Sequence, residues 1–152
     1  MGAREKLAEL GLELPPVNPP LAAYVPAVRT GNHVYVSGQL PMVDGKLPTT
    51  GKVGAEVDAD DAKTMAQRCA LNALANIDDL VGLDSVVRVV KVVGFVASAP
   101  GFTGQPGVIN GASELFGAVF GDAGRHARSA VGVAELPRGT PVEVEMIVEV
   151  AT

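Results

Sequence analysis

Residues 140–150 alternate without a break. Val142, Val144, Met146, Val148 and Val150 fall on one side of an extended chain, and Glu143, Glu145, Ile147 and Glu149 on the other. A period of two marks a β-strand with one apolar face, because successive side chains leave the pleat in opposite directions. Such a strand must belong to a sheet whose apolar face is covered by another layer. Just upstream, residues 127–136 read as a second strand, with Ser129, Val131 and Val133 on one side and Arg128, Ala130, Gly132 and Ala134 on the other. Pro137-Arg138-Gly139-Thr140 between them has the chemistry of a tight turn, so an antiparallel hairpin is expected. Matching the apolar faces sets Val133 against Val144, Val131 against Met146 and Ser129 against Val148. The same register puts Arg128 opposite Glu149, Ala130 opposite Ile147 and Ala134 opposite Glu143.

The remaining signals supply helices and further strands. Residues 85–96 are nearly all valine, broken by Arg88 and Lys91, which a simple alternation places on opposite faces. A run apolar on both faces suits a central strand. Asp58 is placed to cap a helix, with Asp60 and Asp61 favouring its positive end. Met65, Cys69, Ala73 and Ile77 then recur every four residues as one buried stripe, which Gly82 closes. A glycine-spaced loop at 101–107 precedes a second helix over residues 108–120. Residues 33–37 form a short β-rich run after the turn Thr30-Gly31-Asn32, and residues 42–57 are loop-like. Residues 3–10 make a short helix ended by Gly11. The four prolines between residues 14 and 20 exclude helix and central strand, leaving an extended arm that leads to Tyr24. With no internal repeat, residues 1–152 read as one α/β domain, of which 1–21 are N-terminal helix and arm.

Charge narrows the function. The net charge is −5, aromatic residues are 4% and the basic residues form no cluster. Nucleic-acid binders need phosphate-neutralising Lys and Arg with stacking aromatics, so neither nucleic acid nor an anionic membrane is an expected partner. No stretch approaches the ~18 apolar residues of a membrane span, and the charged start is no signal peptide, so the expected location is cytoplasmic. The lone Cys69 forms no internal disulfide and, centred in the helix stripe, reads as a small buried hydrophobe. His33 and His126 stand far apart without neighbouring ligands, so no metal site is expected. P-loop, dinucleotide and nucleophile-elbow motifs are absent from the sequence. Arg128 remains. Small residues flank it, and its planar fork matches a carboxylate in bidentate fashion. The competing reading is an ion pair with Glu149 or Glu145 across the hairpin.

An ordered set of local signatures then points further. Tyr24-Val25, Ser37-Gly38-Gln39-Leu40-Pro41, Asn110, Ala127-Arg128-Ser129 with Val131, Leu136-Pro137 and Val142-Glu143-Val144-Glu145 follow one another over residues 22–150. This succession resembles the RidA/YjgF family of reactive-intermediate deaminases. The resemblance implies a chorismate-mutase-like fold, a mixed sheet with two helices on one face, and homotrimers with clefts between subunits. It also implies hydrolysis of enamines and imines to 2-oxo acids and ammonia, without metal or organic cofactor. Other members are described as endoribonucleases or translation inhibitors, and a non-catalytic trimer that binds 2-oxo acids is a further alternative. By resemblance, Arg128 grips the substrate carboxylate, Tyr24 lines the cleft, Ser37 and Gly38 offer backbone contacts, Glu143 positions or activates water and Asn110 shapes the cleft. The chain departs from the family pattern at Ala130, where a cysteine is frequent, and at His126, where a proline is common. It also has Ser113 in place of the tyrosine often found three residues after the asparagine. His126 is a candidate titratable neighbour of the site. The hairpin register sets Glu143 six residues from the level of Arg128, about 20 Å away, so the two can share a site only across a subunit boundary.

Overall fold

The computed structural model describes residues 1–17 and 23–152, so residues 18–21 of the expected arm lie outside the described residues. Among the described residues, three α-helices and five strands follow in the order α1 (Ala3–Glu9), β1 (Ala27–Thr30), β2 (His33–Gln39), α2 (Ala59–Val81), β3 (Val86–Ala97), α3 (Gln105–Phe120), β4 (Ala127–Val133) and β5 (Val142–Val150). Short 3-10 turns at Leu83–Ser85, Gly121–Gly124 and Pro137–Gly139 link them. The Asp58 side chain accepts from Asp61 N–H at 2.7 Å, capping α2 as its sequence predicts. Helix α3 starts three residues earlier than expected. Pro106 lies in its first turn, where the missing N–H leaves no hydrogen bond unmade. Strand β1 carried too short a pattern to be read from the sequence.

The strands order as β1-β2-β5-β3-β4. Strand β5 runs antiparallel to both β2 and β3, while β3 and β4 are parallel. Helices α2 and α3 pack together on one face, α2 over β2 and β5 and α3 over β3 and β4. The Met65, Cys69, Ala73 and Ile77 stripe is buried, as are Val142, Val144, Met146, Val148 and Val150 on β5. The mixed sheet with two helices on one face is the fold that the resemblance implied, and the short N-terminal helix is the one read from residues 3–10.

The hairpin is not there. β3 lies between β4 and β5 and pairs with both. Beyond its end, Ser98 N–H donates to Val133 O at 3.1 Å, while Ala97 N–H donates to Pro141 O at 2.9 Å. The connection between β4 and β5 therefore steps over the end of β3 instead of turning back on itself. Arg138 and Gly139, at φ 60° and 73°, supply its bend. The two-sided apolar character of β3 is the physical reason: such a strand takes a central place with a neighbour on each side.

The change of partner inverts the faces of β4. Val92 pairs with Arg128 on one side and Met146 on the other, and paired residues share a face. Arg128, Ala130 and Gly132 thus lie under the helices. Ser129, Val131 and Val133 lie on the uncovered side with Glu143 and Glu145. At Gly132 the covered side has no room for a side chain because α3 passes close: a Cβ there would fall 2.8 Å from Gln105 Nε2. A second correction concerns Arg88 and Lys91. Irregularities in the β3–β5 ladder bring Arg88 opposite Glu149 and Lys91 opposite Ile147, so both face the uncovered side.

Candidate active site

The residues singled out from the sequence fall into two groups at opposite parts of the sheet. The first contains Arg128, Asn110, His126 and Ala130. On α3, Asn110 and Ser113 are three residues apart and share a face. Arg128 Nη1 donates to Asn110 Oδ1 at 2.8 Å and to Ser113 Oγ at 3.2 Å. Ser113 Oγ lies 2.9 Å from His126 Nε2, and His126 Nδ1 lies 2.6 Å from Gly124 O. The imidazole also meets the ring of buried Phe116 edge-on, with centroids 5.9 Å apart. Ala130 is two residues along β4 on the same face, packed against the core. Arg128 thus has neutral partners, and neither Glu145 nor Glu149 pairs with it. Among the described residues no carboxylate lies within salt-bridge reach of it.

The second group contains Tyr24, Ser37, Gly38 and Glu143. Ser37 Oγ donates to Val25 O at 2.9 Å, and Ser37 N–H to Pro26 O at 2.8 Å, tying β2 to the segment that carries Tyr24. The β2–β5 ladder slips between Val36 and Gln39. Gly38 sits in that irregularity with the Glu143 carboxylate directly over it, in the space a Cβ would need. Burial, and then repulsion from Glu145, push the Glu143 carboxyl above its ordinary range. Burial chiefly, with Glu143 adding to it, raises the Cys69 thiol well above its usual value, in keeping with an inert core residue. Tyr24, exposed at 68%, stands between two concavities. One, of about 540 Å³, opens on the uncovered sheet face beside Tyr35, Lys91 and Glu145. The other, of about 480 Å³, lies beside Gly38, Arg68, Asn72 and Asn76. Arg128 lines neither.

Sequence reasoning missed the supports of both groups. Ser113 links Arg128 to His126, and its position one turn after Asn110 was the signal. On α2, Arg68, Asn72 and Asn76 repeat every four residues beside the buried stripe. Arg68 Nε donates to Met42 O at 2.9 Å, Asn72 Nδ2 to Leu40 O at 2.8 Å and Asn76 Nδ2 to Gln39 Oε1 at 3.1 Å. This polar ladder fixes the chain just after Gly38.

One chain does not bring the two groups together. β2 and β4 are three strand spacings apart, about 14 Å. Glu143 lies level with Phe95, three residues along from Arg128's partner Val92, and two strands away. Their Cα atoms are thus separated by roughly 14 Å, with side chains on opposite faces of the sheet. This geometry replaces the 20 Å separation along one hairpin. Among the described residues no three His, Cys, Asp or Glu side chains converge to hold a metal ion, and no helix is long and apolar enough to cross a membrane.

Comparison with known proteins agrees with this architecture. Residues 16–150 match the family described as Endoribonuclease L-PSP. The chain is 46% identical to Protein TCP17 of Trypanosoma cruzi over 145 residues, covering 94% of this chain and 91% of that one. It is 34% identical to the 2-iminobutanoate/2-iminopropanoate deaminase of Escherichia coli K12 over 127 residues, covering 84% and 87%. The crystal structure of Atu1372 from Agrobacterium tumefaciens, of unknown function, superposes with a TM-score of 0.91 at 47% identity over 99% of this chain and 94% of that one. The YjgF gene product of E. coli superposes with a TM-score of 0.64 at 29% identity, covering 86% and 90%. Fold, ordered motifs and sequence identity converge on one conclusion: the chain belongs to the Endoribonuclease L-PSP family, the RidA/YjgF family.

Proposed function

We propose that this protein is a hydrolytic deaminase of small enamine and imine intermediates of the 2-aminoacrylate kind, releasing 2-oxo acids and ammonia. The observation that carries the reading is the state of Arg128. Asn110 and Ser113 aim its guanidinium without neutralising it, and its remaining N–H groups have no partner among the described residues. A fork so held matches a substrate carboxylate. The 34% identity to a relative named 2-iminobutanoate/2-iminopropanoate deaminase supports the reading. The net charge of −5 favours a small anion in a local pocket over RNA.

In this reading the site forms between copies of the chain. The Arg128 group on edge strand β4 of one subunit faces the Tyr24, Ser37, Gly38 and Glu143 group of the next. Repetition of such a head-to-tail contact closes a ring, and a homotrimer is the ring that the family resemblance implies. The uncovered sheet face, with Val28, Tyr35 and Val131 each more than 40% exposed, supports burial against neighbours. With the carboxylate on Arg128, Glu143 accepts a proton from water as its oxygen adds to the iminium carbon. Glu143 then returns the proton to nitrogen, and as the C–N bond breaks the new hydroxyl gives up its proton to Glu143, so that a 2-oxo acid and ammonia leave. Tyr24 walls the cleft. The test is a coupled assay in which an amino acid oxidase generates imines from a panel of amino acids and semicarbazide traps what survives. The protein lowers semicarbazone formation if the reading holds. Trapping that is unchanged across the panel contradicts it.

A further inference from the structure

Two positions at which the sequence departs from the family pattern, Ser113 and His126, are 13 residues apart in the chain, yet their side chains touch, with Ser113 Oγ 2.9 Å from His126 Nε2. Their hydrogen bonds fit one proton arrangement. Gly124 O can only accept, so the proton on the ring belongs on Nδ1, which donates to it across 2.6 Å. Nε2 then offers a lone pair, and the Ser113 hydroxyl donates to it. That leaves the Ser113 oxygen to accept from Arg128 Nη1 at 3.2 Å. Packing fixes the ring as well: Phe116 meets it at an interplanar angle of 84°. Gly124 is buried against α3, where a Cβ would strike Phe116 O, so the carbonyl that orients the ring is itself held in place.

We propose that Ser113 and His126 act as a coupled pair of positioning residues that fixes the Arg128 guanidinium for carboxylate binding. Neither touches substrate in this scheme. Asn110 holds one side of Nη1, and the serine, oriented by the histidine, holds the other. Without the pair, Arg128 keeps a single anchor and its fork wanders from the carboxylate plane. The inference rests on the carboxylate-clamp role in the proposed function, and the test separates the two.

The probe is 2-oxobutanoate, titrated calorimetrically into the intact wild-type protein and into Arg128→Ala, Ser113→Ala, Ser113→Thr and His126→Phe. Phenylalanine retains an aromatic ring against Phe116 while removing both nitrogens. Ser113→Ala and His126→Phe each weaken binding roughly tenfold, as loss of a hydrogen bond linked to a charged group does. The double variant is no weaker than the worse single one, since both changes break the same relay. Ser113→Thr, which keeps the hydroxyl, binds within about threefold of wild type. In the imine assay the two variants raise KM and leave kcat within about twofold, because the clamp holds substrate and transition state alike. Unchanged binding in Ser113→Ala and His126→Phe, beside loss in Arg128→Ala, overturns the pair alone. Binding that survives in Arg128→Ala as well overturns the clamp and the pair together.

Discussion

Arg128 is the residue on which the functional reading turns, and its surroundings predict how it tolerates change. Its partners are neutral, so Arg128→Ala leaves no buried carboxylate unpaired. The variant is expected to fold and assemble while losing imine hydrolysis, with a binding penalty of about 2–5 kcal/mol for the lost charge clamp. Arg128→Lys recovers little, because an ammonium cannot span Asn110, Ser113 and a carboxylate in one plane. Steady-state kinetics with circular dichroism on the same samples checks both. Glu143 makes a different prediction. Its carboxyl is pushed upward, so the folded state holds the proton more tightly than the unfolded chain does, and the ionised side chain costs stability at neutral pH. That cost disappears as pH falls through the raised value and below the ordinary carboxylate range. Glu143→Gln should therefore raise the melting temperature at pH 7 by about 1–3 °C, a small gain because solvent screens a half-buried group. Near pH 3.5 the gain should vanish, and at every pH hydrolysis should be lost. Thermal melts at the two pH values read the sign. At this scale the sequence marked Arg128 through the small residues beside it but named the wrong partners, because partner choice depends on which strand lies alongside.

At the scale of elements, periodicity located every long helix and strand within a few residues. The Asp58 cap, the four-residue stripe of α2 and the alternation of β5 each express a local rule that tertiary packing had no cause to override. Strand pairing was another matter. The short link between β4 and β5 looked like a hairpin, yet a chain of that length can also step over one strand end. Only the two-sided valine character of β3 distinguished the outcomes. Helix α3 allows a paired test of close packing. A Cβ on Gly111 would strike the backbone oxygen of Lys63 in α2, whereas a Cβ on exposed Gly117 meets nothing within 4 Å. Gly111→Ala should destabilise the protein by about 1–3 kcal/mol, as overpacking does. Gly117→Ala should stabilise it by up to about 1 kcal/mol, the ordinary helical gain over glycine. Urea denaturation distinguishes the opposite signs.

At the scale of the whole molecule, the sheet order decides how the site is built. Strand order β1-β2-β5-β3-β4 places the Arg128 group at one edge and the Tyr24, Ser37 and Gly38 group near the other. The sequence led to the expectation of a divided site by combining the family resemblance with the length of a hairpin that does not exist. The structure separates the two groups by opposite faces and intervening strands, a separation that does not depend on the register of one pair. Light scattering on a sizing column is expected to give about three times the 15.5 kDa chain mass. A micromolar monomer contradicts the shared cleft.

The most direct test of a divided site is complementation. Arg128→Ala and Glu143→Ala proteins, each inactive alone, are unfolded, mixed in equal amounts and refolded together, and imine hydrolysis is measured. A cleft works when a chain that keeps Arg128 meets a neighbour that keeps Glu143, which random mixing achieves in about a quarter of clefts. Recovery of roughly one quarter of wild-type activity is therefore the predicted result. Mixed oligomers as inactive as either parent would contradict it, placing both residues in one subunit's site or removing Glu143 from the reaction.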